Sequence, residues 1–268
     1  MRLQPVPAFN DNYIWLLVDH AGEGSAPEGA SRALIVDPGD AAPVLDVLRD
    51  GPAPHGILLT HHHDDHIGGV AELLRHWPQL PVIAPHDARI ATATRRVADG
   101  ERIDIGPWHF DIIEIPGHTS SHIAFHGRTL EGMGLLFCGD TLFSLGCGRL
   151  FEGTPTQMLD SLRRLSALPV GTMVCCGHEY TVANAAFALT VDPANAALRE
   201  RAAQAMTARD AGLPTLPVTL ASERDCNPFL RIDTPAVLAA LEHHLQRALV
   251  DDVDAFAELR RWKDGFSG

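Results

Sequence analysis

The chain has 268 residues, of which 46% are hydrophobic, and a formal net charge of -13. That apolar content builds a packed core and excludes a disordered chain, and the length fits one large domain or two modest ones. So acidic a surface repels phosphate backbones and excludes a general nucleic-acid binder, while leaving room for a local basic patch, because charges beyond about 8–10 Å are screened.

In chain order, YIWLLV (residues 13–18), ALIV (33–36), GILLT (56–60) and PVIA (81–84) predict strands. A polar, Gly-rich stretch at 20–31 predicts a hairpin loop between the first two. GGVAELLRHW (68–77) repeats Val70, Leu73, Leu74 and Trp77 at helical spacing. Further strands are predicted at FDIIEI (110–115), HIAFH (122–126), GLLFC (134–138) and TMVCC (172–176). PTQMLDSLRRL (155–165) predicts a helix through Met158, Leu159, Leu162 and Leu165. Beyond about residue 178 the texture turns helical, at TVANAAFALTV, NAALRERAAQAMTA, PAVLAALEHHLQRAL and VDAFAELRRWKDGF. Strands followed by helices predict an α+β organisation or two domains.

The five cysteines are odd in number, and Cys175 and Cys176 are adjacent, which does not make a disulfide framework and favours a reducing compartment. The start MRLQPVPAFNDNY has no apolar signal core, and no apolar run approaches about 18 residues, so the expectation is a cytoplasmic protein without a membrane span.

The segment THHHDDHIGG (60–69) places four histidines and two aspartates in six consecutive positions. Such a run is a metal site or a solvated tract, and Asp64 or Asp65 could instead cap a helix beginning near Ile67. His61 and His63 alternate, so in extended chain they face one way and His62 faces another. Four predicted strands run into metal-ligand residue types: GILLT into His61, IIEIPG into His118, GLLFCG into Asp140 and TMVCCG into His178. If these strands share a sheet and a direction, their ends meet along one edge. Each motif alone is weak; four in order, each at a strand end, make coincidence improbable.

THHHDDHIGG, GHTSSH, GDTLF and GHEY resemble, in this order, the ligand motifs of the metallo-β-lactamase superfamily. FNDNYIWLL, GCGRLFEGT (146–154), CNPFLR (226–231) and RRWKDGF (260–266) resemble its hydroxyacylglutathione hydrolase (glyoxalase II) family. The resemblance runs from Phe9 to Phe266. It implies an α+β chain: a four-layer αββα sandwich, the catalytic domain, over 1–170, then a helical glutathione-binding domain over 171–268, with His178 still serving the metal site. It implies two divalent metal ions, zinc first and iron or manganese as alternatives. His61, His63 and His118 would hold one ion. Asp65, His66 and His178 would hold the other, and Asp140 would bridge them beside a hydroxide nucleophile. Asp140, Asp65 and His66 would thus be central to catalysis. Asp37 and His122 would support the ligands from behind, the alternatives being a turn former and a surface histidine.

The implied reaction converts S-D-lactoylglutathione and water to glutathione and D-lactate, the second step of methylglyoxal detoxification. Arg149, Tyr180, Arg260 and Lys263 would bind the glutathione moiety. Arg260 and Lys263, at i and i+3, share a helix face and can clamp a carboxylate; the alternative is a basic helix end that suits the dipole. Phe151 stands where many relatives carry Tyr, which removes a hydroxyl donor. Cys175 and Cys176 suit strand packing. The expected partner is a small-molecule glutathione thioester, with neither nucleic acid nor membrane, on a monomer or weak dimer. Rival readings are a mono-iron persulfide dioxygenase of the same superfamily and a non-catalytic metal-binding scaffold. NPFLR and RRWKD favour the thioesterase over the first, and structural zinc sites are usually closed and Cys-rich, against the second.

Overall fold

The computed structural model describes residues 1–19, 31–129 and 132–267. The hairpin loop expected at 20–31 lies, apart from Ser31, outside the described residues. Tertiary contacts divide the chain into two compact units: Met1–Glu114 with Ser121–Gly139, and Ile115–Ser120 with Asp140–Gly268. The chain passes between the two units at residues 114–115, 120–121 and 139–140.

The first unit holds a six-stranded sheet in the order β1 (Arg2–Ala8), β2 (Asn12–Asp19), β3 (Arg32–Val36), β4 (Ala53–Leu58), β5 (Val82–Pro85), β6 (Arg95–Val97). The first three strands are antiparallel and the rest parallel, the crossovers made by α1 (Ala42–Leu48) and by α2 (Asp64–Ile67) with α3 (Val70–His76). Ile14, Leu16, Val18, Ala33, Ile35, Ile57 and Val82 project from one face at period 2, into one core with Val44, Val70 and Leu73 of the helices. β1 escaped the sequence reading because Pro5 and Pro7 interrupt it. It is an edge strand, where missing N–H donors are tolerated.

The same unit carries the antiparallel meander β7 (Arg102–Ile105), β8 (Trp108–Glu114), β9 (Ile123–Arg128), β10 (Gly134–Gly139). It faces the first sheet: a Cβ on Gly56 of β4 would come within 2.2 Å of Ile105 Cδ1. The ligand-bearing strands therefore do not share one sheet, because β4 belongs to the first and β8 and β10 to the second. Residues 33–36 and 56–58 pair in parallel, whereas 110–113 and 124–127 pair antiparallel; pairing partners this distant are not encoded locally.

The second unit contains two short hairpin strands, β11 (Leu142–Phe143) and β12 (Gly146–Cys147), then α4 (Pro155–Ser166), which opens on a Thr154/Gln157 capping box. β13 (Met173–Cys176) pairs with β14 (Val218–Thr219), and the helices are α5 (Thr181–Val191), α6 (Ala196–Asp210), α7 (Leu220–Cys226), α8 (Pro235–Leu245) and α9 (Asp252–Asp264). The expected helix from 235 to 249 stops at Leu245 because Gln246 turns left-handed, at φ 53°. Among the described residues no helix is long and apolar enough to cross a membrane.

Glycines let the turn after β3 meet the turn between α2 and α3 backbone to backbone. Gly69 N–H donates to the Pro38 carbonyl at 2.9 Å, and a Cβ on Gly39 would lie 1.8 Å from the Asp65 carbonyl oxygen. Gly39→Ala is therefore expected to cost about 1–3 kcal/mol, read as a lower urea midpoint at unchanged m-value; an unchanged midpoint would contradict this packing.

Candidate metal centre

In the first unit the histidine run leaves β4 extended and becomes helical at Asp64, three residues earlier than the expected start near Ile67; neither Asp64 nor Asp65 caps the helix. Asp37 lies beneath it, 4% exposed, in left-handed backbone at φ 51°, a conformation that Asp and Asn tolerate best after Gly. Its carboxylate accepts the Thr60 N–H at 2.8 Å, the Thr60 hydroxyl at 2.7 Å and His66 Nδ1–H at 3.1 Å. The Thr60 hydroxyl proton is thereby spent, so Thr60 Oγ1 accepts from His61 Nδ1–H at 3.0 Å.

These bonds place the proton of His61 and of His66 on Nδ1 and leave each Nε2 with a lone pair. His61 Nε2 lies 3.1 Å from His63 Nδ1, and His66 Nε2 lies 3.7 Å from Asp65 Oδ2. Asp65 is itself held by Asn12 Nδ2, which donates to its Oδ2 at 2.9 Å. His62 points elsewhere, toward Asp87 at 3.4 Å. His122 is fully buried and stacks on His61 with ring centroids 4.5 Å apart, so it is no surface histidine.

In the second unit His118 Nδ1–H donates to the Arg149 carbonyl at 2.9 Å, which again puts the lone pair on Nε2. That nitrogen lies 3.5 Å from Asp140 Oδ2, and His178 Nε2 approaches the same oxygen at 3.2 Å. All three side chains are buried.

A tetrahedral ion with bonds of about 2.0–2.1 Å separates its ligand atoms by about 3.3–3.4 Å. The donor pairs within each unit, at 3.1 to 3.7 Å, scatter about that spacing. Buried imidazoles whose second nitrogen is tied to a carboxylate, hydroxyl or carbonyl are the pattern of metal ligands. The His/Asp groups of this chain are thus suited to metal binding. Asp37, His61 and His66 also bring donor atoms within 4.8 Å of one another, but Asp37 is committed to protons on Nδ1 and Oγ1 and serves as their anchor.

The expected glutathione residues also lie in the second unit. Tyr180 stacks on His178 at 4.8 Å and 7°. Arg149, two-thirds exposed, reaches Asp264 at 3.6 Å. Arg260 is not a solvent-facing clamp: it is 5% exposed and donates to the Cys147 carbonyl at 2.8 Å and to Asp264 at 3.0 Å. Lys263 Nζ lies 3.4 Å from the Ala183 carbonyl and over the Phe187 ring. Burial, then the charges of Arg260 and Arg149, pushes the Lys263 ammonium below its ordinary pKa. Phe151 is exposed and sits edge-on to His118 at 5.2 Å.

The family model of the metallo-beta-lactamase superfamily matches residues 28–178, and that of the hydroxyacylglutathione hydrolase C-terminus matches 179–266. A hydroxyacylglutathione hydrolase of Xylella fastidiosa (strain M23) is 58% identical over 266 residues, covering 99% of this chain and 98% of that protein. The chain belongs to the hydroxyacylglutathione hydrolase family. Another member, from Xanthomonas campestris pv. campestris (strain B100), is 56% identical over 267 residues, covering 99% of each. Among solved structures, TTHA1623 in a di-iron-bound form is 28% identical with a TM-score of 0.54, covering 85% of this chain and 100% of that one. ETHE1 from Myxococcus xanthus, 22% identical with a TM-score of 0.63 over 99% of this chain and 91% of that one, shares the fold. The fold is that of the metallo-β-lactamases.

Asn12 and Thr60 were not singled out from the sequence, although both stand inside quoted motifs; their roles depend on partners 53 and 23 residues away. Asp37→Asn keeps the left-handed backbone but sets an amide donor against His66 and Thr60. Divalent-metal affinity should fall about 10- to 100-fold in chelator competition; wild-type affinity would show that the tautomers are set elsewhere.

Proposed function

We propose that this chain is a metal-dependent thioester hydrolase that converts S-D-lactoylglutathione and water to glutathione and D-lactate, the second step of methylglyoxal detoxification. The observation that carries the reading is the cluster of Arg149, Arg260 and Lys263 around Asp264, on a chain of net charge -13. A metal-binding scaffold has no need of it, whereas glutathione presents carboxylates that such cations recognise.

In this reading His61, His63 and His118 would hold one divalent ion, Asp65, His66 and His178 would hold a second, and Asp140 would serve both. Zinc, iron and manganese all suit the nitrogen and oxygen donors, with zinc the first choice. Divalent ions held there would supply Lewis-acid polarisation of the thioester carbonyl and a water of lowered pKa. The chain's part is to fix direction. Asp37 and Thr60 keep His61 and His66 in one tautomer, the Arg149 carbonyl does the same for His118, and Asn12 orients Asp65. Lys263, its pKa lowered by burial and then by neighbouring like charges, gains a counter-ion when a glutathione carboxylate arrives; Arg260 braces the Cys147 carbonyl beside it. The cysteines are buried, and burial pushes the Cys147 and Cys226 thiols up to about 11, so they are poor nucleophiles.

We read residues 1–170 as the catalytic domain and 171–268 as the glutathione-binding domain, acting in the cytoplasm as a monomer or weak dimer. Thiol release from S-D-lactoylglutathione, with no oxygen uptake on glutathione persulfide, tests the activity. Lys263→Ala should raise KM about tenfold at nearly constant kcat, since a charge-assisted hydrogen bond contributes about 1.5–3 kcal/mol in ground and transition states alike. A thioester lacking the glutathione carboxylates should be hydrolysed equally by both enzymes. An unchanged KM for the glutathione thioester would place the carboxylate site elsewhere.

A further inference from the structure

One buried acid is unused by the reaction just described. Glu223 of α7 is 0% exposed, and its carboxylate receives the Ser144 hydroxyl at 2.9 Å and the Leu145 N–H at 2.8 Å. Both donors belong to the turn between β11 and β12. The carbonyls of that turn are taken as well. Asn227 Nδ2 donates to Phe143 O at 3.1 Å and to Gly146 O at 2.9 Å, and Asn184 Nδ2 donates to Ser144 O at 3.0 Å. Asn227 also donates to Glu223 at 3.0 Å, and Arg201 reaches Ser144 Oγ at 3.2 Å.

The turn requires holding. Leu145 has φ 60°, a left-handed conformation that is strained for a non-glycine residue. Its side chain is fully buried in a cluster with Ala185, Ala188, Leu198 and Ala202. A hydrophobic anchor and a polar clamp thus fix four residues that form no long strand of their own.

The turn also borders the metal-suited side chains. β11 begins two residues after Asp140, and at the far end of the hairpin Gly148 donates to Thr141 O at 3.1 Å. Gly148 lies so close that a Cβ there would be 1.9 Å from the Asp140 carbonyl oxygen. Phe143 meets the His178 ring edge-on at 5.9 Å and the Tyr180 ring at 5.2 Å. Any drift of the turn therefore moves the backbone of one ligand candidate and the ring wall of another.

We propose that Glu223, Asn227 and Asn184 are positioning residues: they hold the Phe143–Gly146 turn so that Asp140 and His178 keep the spacing a metal ion requires. The proposal rests on the ligand assignment above and gives the NPFLR motif, through Asn227, a role at the metal centre distinct from glutathione binding.

The test uses the full-length protein in Glu223→Ala, Glu223→Gln and Asn184→Ala forms, with two readouts. The first is zinc affinity and stoichiometry by chelator competition, well below each melting temperature. The second is the His178 ring resonances of the metal-free protein, which the Phe143 ring current reports. Glu223→Ala is expected to weaken zinc binding about tenfold or more and to shift the His178 resonances. Glu223→Gln, which keeps an acceptor for Leu145, should stay within a fewfold of wild type. Asn184→Ala, which loses one bond, should fall between, and it decides the matter if Glu223→Ala does not fold. Variants that melt earlier yet keep wild-type zinc affinity and His178 resonances would overturn the proposal, leaving the clamp a purely structural one. Failure of the ligand assignment is separate: wild type itself would then bind no zinc, while the resonance comparison would still judge the clamp.

Discussion

Three hydrogen bonds converge on the Asp37 carboxylate, and the proton inventory of the histidine run follows from them. Thr60 surrenders its hydroxyl proton to Asp37, so it must accept from His61; His66 donates directly. Two imidazoles are thus left with lone pairs on Nε2, without any metal being needed to select the tautomer. A neutral imidazole with both tautomers open would present an N–H at Nε2 for part of the time. Fixing it beforehand removes that cost from metal uptake, as pre-organisation does for any ligand site.

The second unit repeats the device with a backbone carbonyl, that of Arg149, as the acceptor for His118. The same residue contributes its guanidinium to the cationic cluster near Asp264. One residue therefore links the orientation of the His118 ring to the cationic cluster. The C-terminal helices have a similar double character. α9 supplies Arg260 and Lys263, and Arg260 is spent on the Cys147 carbonyl of the β11–β12 hairpin rather than on solvent. The cationic cluster and the placement of the hairpin are thereby built in part from the same helix.

Much of this was legible in the residues. The strand at 13–18 lies inside β2, and the helix TVANAAFALTV is α5 residue for residue, because runs of strand-forming and helix-forming residues are encoded locally. The HHHDDH run announced itself by a composition that packing does not ask for. The pairing of its strand with a different sheet from β8 and β10 was not legible, since register is decided between segments far apart. The burial of Arg260 was not legible either: its partner Cys147 is 113 residues away. Glu223 passed unnoticed for the same reason, its partners Ser144 and Leu145 lying 79 and 78 residues earlier.

The central claim is that imidazoles of fixed tautomer, with Asp140, hold a pair of ions. Anomalous diffraction from crystals grown with zinc tests it most directly. The account predicts two peaks per chain, bonded to Nε2 of His61, His66, His118 and His178, with Asp140 touching both and Asp37 touching neither. A single peak, or ions bonded to Asp37 or to a cysteine sulfur, would contradict it.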